Sequence, residues 1–299
     1  MDYYYNIKNI LIDNEIYKRV KDYSKNRNEL DNYYKIGKLL IEAQGGELRA
    51  NYGDNLIKEY SKKLTIELNK SFSTTLLKNI RQFYILMSKC PTLSDKLTWS
   101  HYVELIWIKD MNKIKYYINI SSKYNLSVRE LRNRIKLNEY ERLDEKTRYK
   151  LFKNEVLTIA DNLKHPITIK NTYQMAEISE KMLKKLIMED ISSFMKELGE
   201  RFSFIDSEYK IKIGNNYNYI DILLFNIKYN CYIVVELKVT KLKKEHIGQI
   251  QTYMNYIDKN IKTIYQDITI GIIITKHDNK FIMEYCSDDR LFNTTYELI

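Results

Sequence analysis

The chain changes its periodicity at Gly199, and that change restricts the fold more than any other feature of the sequence. From about residue 10 to 138, apolar residues return at helical spacing, as in Ile57, Tyr60, Leu64 and Leu68, with hardly any alternating run. Just before Gly199, the stretch from Ile178 to Leu198 carries the stripe Leu183, Leu186, Ile187, Ile191, Phe194, Met195 and Leu198, which predicts an amphipathic helix that the glycine ends. Beyond it the period becomes that of strands: Tyr209 to Ile213, Tyr219 to Asn226 and Tyr232 to Val239, separated by the turns Gly214-Asn215-Asn216 and Lys228-Tyr229-Asn230. Helical spacing returns from Lys243 to about Asp258, and two further strands are expected, Ile268 to Thr275 and one near Phe281 to Tyr285. The fold class is therefore α/β (mixed α+β), with an all-helical first domain and a strand-rich second one.

The 299 residues are roughly twice an ordinary domain, and 44% apolar residues suffice for two cores. Residues 139 to 165 are charged and weakly periodic, so domains are expected over 1–150 and 151–299. Within the first, the break at Asn69-Lys70-Ser71-Phe72, with Ser73 placed as a cap, gives a helix-turn-helix-like layout, and Ser127 and Glu130 stand at capping-box spacing. Lys78 and Arg81 fall on one side of the helix after the break, where they could meet a phosphate backbone.

A net charge of +10 suits a phosphate-rich partner, as it would a merely lysine-rich surface. The 27 tyrosines, beside only eight glycines and two prolines, read as compositional drift and not as a binding feature. Cys90, Cys231 and Cys286 are too scattered for a disulfide framework or a zinc knuckle, and His101, His165, His246 and His277 show no zinc spacing. His101 reads as a buried or capping histidine. No apolar stretch reaches membrane length, no secretory leader pattern opens the chain, and no phosphate-binding Gly-rich loop occurs, so a cytoplasmic protein without membrane or nucleoside-triphosphate chemistry is expected.

The chemistry concentrates in the second domain. Asp221 interrupts the apolar run from Tyr219 to Phe225, where an unpaired carboxylate would be costly. Glu236 and Lys238 end the next apolar strand on one of its faces, while Leu237 turns to the other. If the two strands pair, Asp221 and Glu236 converge into a hard-oxygen site suited to Mg²⁺ or Mn²⁺, and Lys238 can hold the attacking water or balance charge on a phosphate. A structural salt-bridge cluster of the same three residues satisfies the pattern equally.

The order of elements, a helix, a strand with Asp221, a strand ending Glu236-Leu237-Lys238 and a helix opening near Lys243 and Lys244, resembles the PD-(D/E)XK nuclease core. Phe194 to Gly199, Tyr219 to Leu223, Val235 to Lys238 and Gly248 to Tyr253 look like the bacterial YhcG-like family of that superfamily. So do Tyr34 to Gly37, Ile80 to Tyr84, Leu97 to Tyr102 and Ser127 to Leu131 in the helical region.

The resemblance implies a restriction-endonuclease-like domain with a central mixed sheet, Asp221 and Glu236 as metal ligands, Lys238 as the catalytic lysine and Glu197 as a further acidic member. Gln249 and Tyr253 would touch nucleic acid or brace the site, with Lys243 and Lys244 beside them. Two departures stand out: Ile220 where relatives carry proline, and Glu208 where a polar residue is the rule. The expected activity is metal-dependent phosphodiester hydrolysis, with DNA as the favoured partner. Two alternatives remain: a non-cleaving DNA-binding or complex-assembly module, and an RNA-cleaving defence factor. A homodimer would present two sites to a duplex, and the helical domain could bind DNA or a partner protein.

Overall fold

A computed structural model describes residues 2–19, 25–46, 50–89, 96–286 and 288–299. Cys90 lies outside them. The chain forms two compact units, Met1–Leu137 and Asn138–Ile299. The division falls where Leu137 closes a helix and Asn138, at φ 51°, turns the chain out of it.

The first unit contains α1 (Tyr3–Arg19), α2 (Lys25–Ala43), α3 (Ala50–Glu67), α4 (Thr74–Lys89), α5 (Trp99–Leu105), α6 (Met111–Tyr124) and α7 (Val128–Lys136). Ser73 accepts the Leu76 amide at the head of α4, and Ser127 and Glu130 exchange the two bonds of a capping box at the head of α7. The apolar stripe of α4, Leu77, Ile80, Phe83, Leu86 and Met87, is buried, and Phe83 packs edge-on against Trp99 and Tyr102. Gly37 of α2 is there because a Cβ would meet the Ile80 carbonyl oxygen at 2.6 Å, so α2 and α4 approach through their backbones. His101 is buried, its Nδ1 engaging Thr98 and its Nε2 the Leu126 carbonyl, which fits a capping histidine.

The second unit runs α8 (Glu145–Lys153), α9 (Ile159–Asn162), β1 (Ile167–Ile169), α10 (Glu180–Glu189), α11 (Ile191–Leu198), β2 (Phe202–Ile213), β3 (Asn216–Asn226), β4 (Cys231–Lys241), α12 (Lys244–Asn260), β5 (Ile270–His277), α13 (Lys280–Glu284) and β6 (Leu291–Leu298). The sheet order is β1-β6-β5-β4-β3-β2: parallel from β1 to β4, antiparallel through the β4-β3-β2 meander. Leu183, Leu186, Ile187, Phe194 and Leu198 cover one face over Ile222, Ile233, Val235 and Leu237. On the other face Ile250, Met254 and Ile257 of α12 cover Leu223, Val234 and Ile273. This two-sided burial explains why β4 and β5 read as almost unbroken apolar runs.

Two sequence expectations change, and two strands join the sheet that the sequence did not suggest. The single helix from 178 to 198 is two, because Asp190 leaves helical geometry and its carboxylate caps α11 through the Ser193 amide. The strand expected near Phe281–Tyr285 is the short helix α13, whose Phe281 and Tyr285 are exposed; the sheet is completed by Leu291–Leu298 instead. That strand is hidden in the sequence because its alternation passes through Asn293, Thr294 and Thr295, with Thr294 buried but polar. Strand β1, only three residues long, pairs with its far end. Among the described residues, no helix is long and apolar enough to cross a membrane.

Candidate active site

Pairing between β3 and β4 runs from Asn226–Cys231 to Ile222–Val235. One residue further along, Asp221 and Glu236 would be the next opposed pair. There the Leu237 amide donates to Asp221 Oδ2 at 3.0 Å, so the strand end is tied by a carboxylate. Strand alternation places Glu236 and Lys238 on the α12 side, since Val235 and Leu237 belong to the opposite core.

Glu236 is 2% exposed. Its Oε1 accepts from Lys238 Nζ at 2.8 Å and from Gln249 Nε2 at 2.9 Å, and Gln249 Nε2 also reaches the Tyr253 hydroxyl at 3.1 Å. Oε2 is buried with no hydrogen-bond partner among the described residues. Burial first, and the Asp221 charge second, push this carboxyl up to about 7 against the opposing pull of Lys238. A carboxyl so placed is relieved by a proton or by a cation. For Lys238, burial works to lower the pKa, but the Glu236 hydrogen bond and charge, with Glu180 and Asp221 behind them, outweigh it and raise it, so the ammonium is retained.

Two residues not anticipated from the sequence join the site from α10. Glu180 lies 3.7 Å from Lys238 Nζ. Lys184, one turn later, bridges Asp221 Oδ1 at 3.3 Å and Glu208 Oε1 at 2.7 Å. Glu208 falls between the register pairs Ser207–Ile222 and Tyr209–Ile220, opposite Asp221, and adopts φ 55°. Its unexpected charge is thus answered by Lys184. Helical spacing could have shown that Glu180 and Lys184 share a face one turn apart, but not which turn of a helix rich in acids meets the strand end.

Glu197 is not brought to this group. Its carboxylate pairs with Arg142, accepts from the Thr168 amide at 2.8 Å and lies 3.4 Å from Lys164. Burial raises its pKa, but the Arg142 hydrogen bond, the charges of Lys164 and Arg142, and the Thr168 amide overcome that and hold it down at about 2. With its partners supplied by β1 and the segment before it, it ties both to α11. Lys243 caps α12 by position and Lys244 begins it; both are exposed. Lys78 and Arg81 belong to α4 in the helical unit, half-buried, with Arg81 Nε enclosed and without a hydrogen-bond partner among the described residues.

Among the described residues no group of three or more His, Cys, Asp or Glu is gathered closely enough to hold a metal unaided. Asp221 and the unpartnered Oε2 of Glu236 nevertheless offer the hard oxygen donors that a divalent cation would take, with water and phosphate oxygens to complete its shell.

The second unit is a nuclease domain of the PD-(D/E)XK class by its sequence. Residues 160–298 match the YhcG PDDEXK nuclease domain, and residues 11–142 match the DUF1016 N-terminal domain. The chain belongs to the YhcG-like family, in which a helical N-terminal domain precedes the nuclease domain. It is 26% identical over 281 residues to the Escherichia coli (strain K12) protein named "Putative nuclease YhcG", across 81% of this chain and 75% of that one. Among solved structures, it is similar to a repair endonuclease from Pyrococcus abyssi at 21% identity and TM-score 0.31, over 41% of this chain and 48% of that one. The EndoMS–dsDNA2 complex matches at 19% identity and TM-score 0.31, over 42% and 48%. The chain thus spans about half the length of those two solved chains.

Proposed function

We propose that this protein is a metal-dependent endonuclease that hydrolyses phosphodiester bonds in DNA, with Asp221 and Glu236 as ligands of Mg²⁺ or Mn²⁺ and Lys238 as the catalytic lysine. The observation that carries the proposal is the partnerless, buried Oε2 of Glu236 near Asp221, where a second negative charge is disfavoured and a bound cation would relieve it in place of a proton. When bound, the ion would polarise the scissile phosphate and make hydroxide available near neutral pH.

The remaining work falls to the chain. Gln249, itself resting on Tyr253, fixes Glu236 Oε1 and leaves Oε2 to face the site. Lys238, held between Glu236 and Glu180, keeps its charge and can orient a water or stabilise negative charge on the phosphate oxygens. Lys184 orients Asp221 from the other side and supplies a second cation near the phosphate position.

The intact carboxylate–lysine set argues against a purely non-cleaving assembly role. Asp221 and Glu236 alone do not choose between DNA and RNA; the preference for DNA rests on membership of the nuclease family. Incubating the protein with plasmid, single-stranded DNA and RNA in Mg²⁺, Mn²⁺ or EDTA tests the reading. Cutting of DNA that EDTA abolishes is expected. Cutting of RNA alone would move the substrate, and no cutting of any substrate would overturn the enzymatic reading.

A further inference from the structure

Strands β2 and β3 form a hairpin at the edge of the sheet, and its two faces differ sharply in chemistry. Ile211 and Ile220 are buried in the α12-side core, with Tyr209 and Ile213 packed against it. The opposite face presents two cross-strand pairs, Lys210 with Tyr219 and Lys212 with Tyr217. Tyr217 and Tyr219 are 56% and 52% exposed. Lys210 Nζ lies 3.9 Å from the Tyr217 ring centroid and Lys212 Nζ 6.0 Å, so both ammonium groups gather over one ring. Among the described residues neither lysine has an acidic partner, and residues 209–219 contain no carboxylate at all.

The patch is continuous with the proposed active site. Tyr219 precedes Asp221 by two residues on β3, and Lys210 follows Glu208 by two on β2, a strand spacing of roughly 7 Å. We infer that this face of the β2–β3 hairpin, formed by Lys210, Lys212, Tyr217 and Tyr219, is a docking surface for the phosphate backbone of the substrate strand, guiding it to Asp221. The inference rests on the nuclease reading and adds where the substrate lies. Unpaired ammonium groups meet phosphates, while the exposed rings offer apolar contact to sugars and bases. Glu208, opposite Asp221 at the inner end of this path, is tied to Lys184 and so repels the strand less. Lysine on an edge strand also discourages pairing with another sheet, but that role does not need the tyrosines of the inner strand β3.

The test uses the full chain and labelled duplex and single-stranded DNA in EDTA, with affinity followed across a salt series. Lys210→Ala/Lys212→Ala should weaken binding about tenfold and lower the slope of log affinity against log salt by about 1.8 on duplex or 1.4 on single strands. Lys210→Arg/Lys212→Arg should restore both, and Tyr217→Ala/Tyr219→Ala should weaken binding with the slope kept. In cleavage assays the lysine double variant should raise KM and leave kcat unchanged. An unaltered slope in a variant with wild-type circular dichroism and an unaltered KM would overturn the docking surface. Wild-type protein that binds DNA with the predicted lysine dependence yet never cuts it would overturn the nuclease reading and leave the surface standing.

Discussion

Glu197 and Glu236 are both buried glutamates in one domain, and their surroundings send them in opposite directions. Glu197 is surrounded by donors and held at about 2, whereas Glu236 is pushed up to about 7 and keeps one oxygen unmatched. A group with a depressed folded-state pKa stabilises the protein above its unfolded value and loses that contribution as pH falls through the folded one. Glu197→Gln is therefore expected to cost about 3 kcal/mol near neutral pH, with the difference from the natural protein shrinking below the usual glutamate range and vanishing towards pH 2. Urea denaturation over a pH series checks this, and a pH-independent difference would contradict the assignment of Glu197 to the Arg142 cluster.

Gln249 acts through Glu236, so Gln249→Ala should lower kcat about tenfold, with KM and melting temperature little changed. Gln249→Glu, which places a third acid against the pair, should tighten Mn²⁺ binding measured by calorimetry while still impairing cleavage. Failure of both variants to alter kcat would remove Gln249 from the site.

At the scale of elements, the strands carrying Asp221, Glu236 and Lys238 are legible in the sequence because an apolar run with a charge inside it has few structural excuses. The helical contribution is not. Acids occur on several turns between Glu177 and Glu197, and only the kink at Asp190 and the packing of Leu183, Leu186 and Ile187 decide that Glu180 and Lys184 meet β4 and β3 while Glu197 faces Arg142. Strand β6 is illegible for a related reason: burial of Thr294 rests on its hydroxyl donating to the Lys164 carbonyl, a long-range bond that local patterning does not contain.

Gly199, by contrast, ends α11 as its sequence position suggested, at φ 133° and with a Cβ position only 2.9 Å from Asn162 Cβ. Gly199→Ala should destabilise the second unit by about 1–3 kcal/mol, seen as a lowered thermal midpoint. An unchanged midpoint would show that the turn tolerates another geometry.

On the scale of the whole molecule, the chain is two compact units, one helical and one carrying the candidate site. Arg81 of α4 is half-buried, so only the outer part of its side chain, and not the enclosed Nε, could meet a phosphate. Arg81→Ala should weaken DNA binding and reduce its salt slope by about 0.9 on duplex; an unchanged slope would assign that helix face to protein contacts.

The central claim concerns Glu236 and Lys238, and the most direct test compares DNA cleavage in Mg²⁺ by the natural protein, Glu236→Ala and Lys238→Ala at matched concentration and verified folding. The account predicts that both substitutions abolish cutting while leaving DNA binding within a few fold. Cleavage at the wild-type rate by Glu236→Ala would contradict it, since nothing else on β4 could then supply the missing carboxylate.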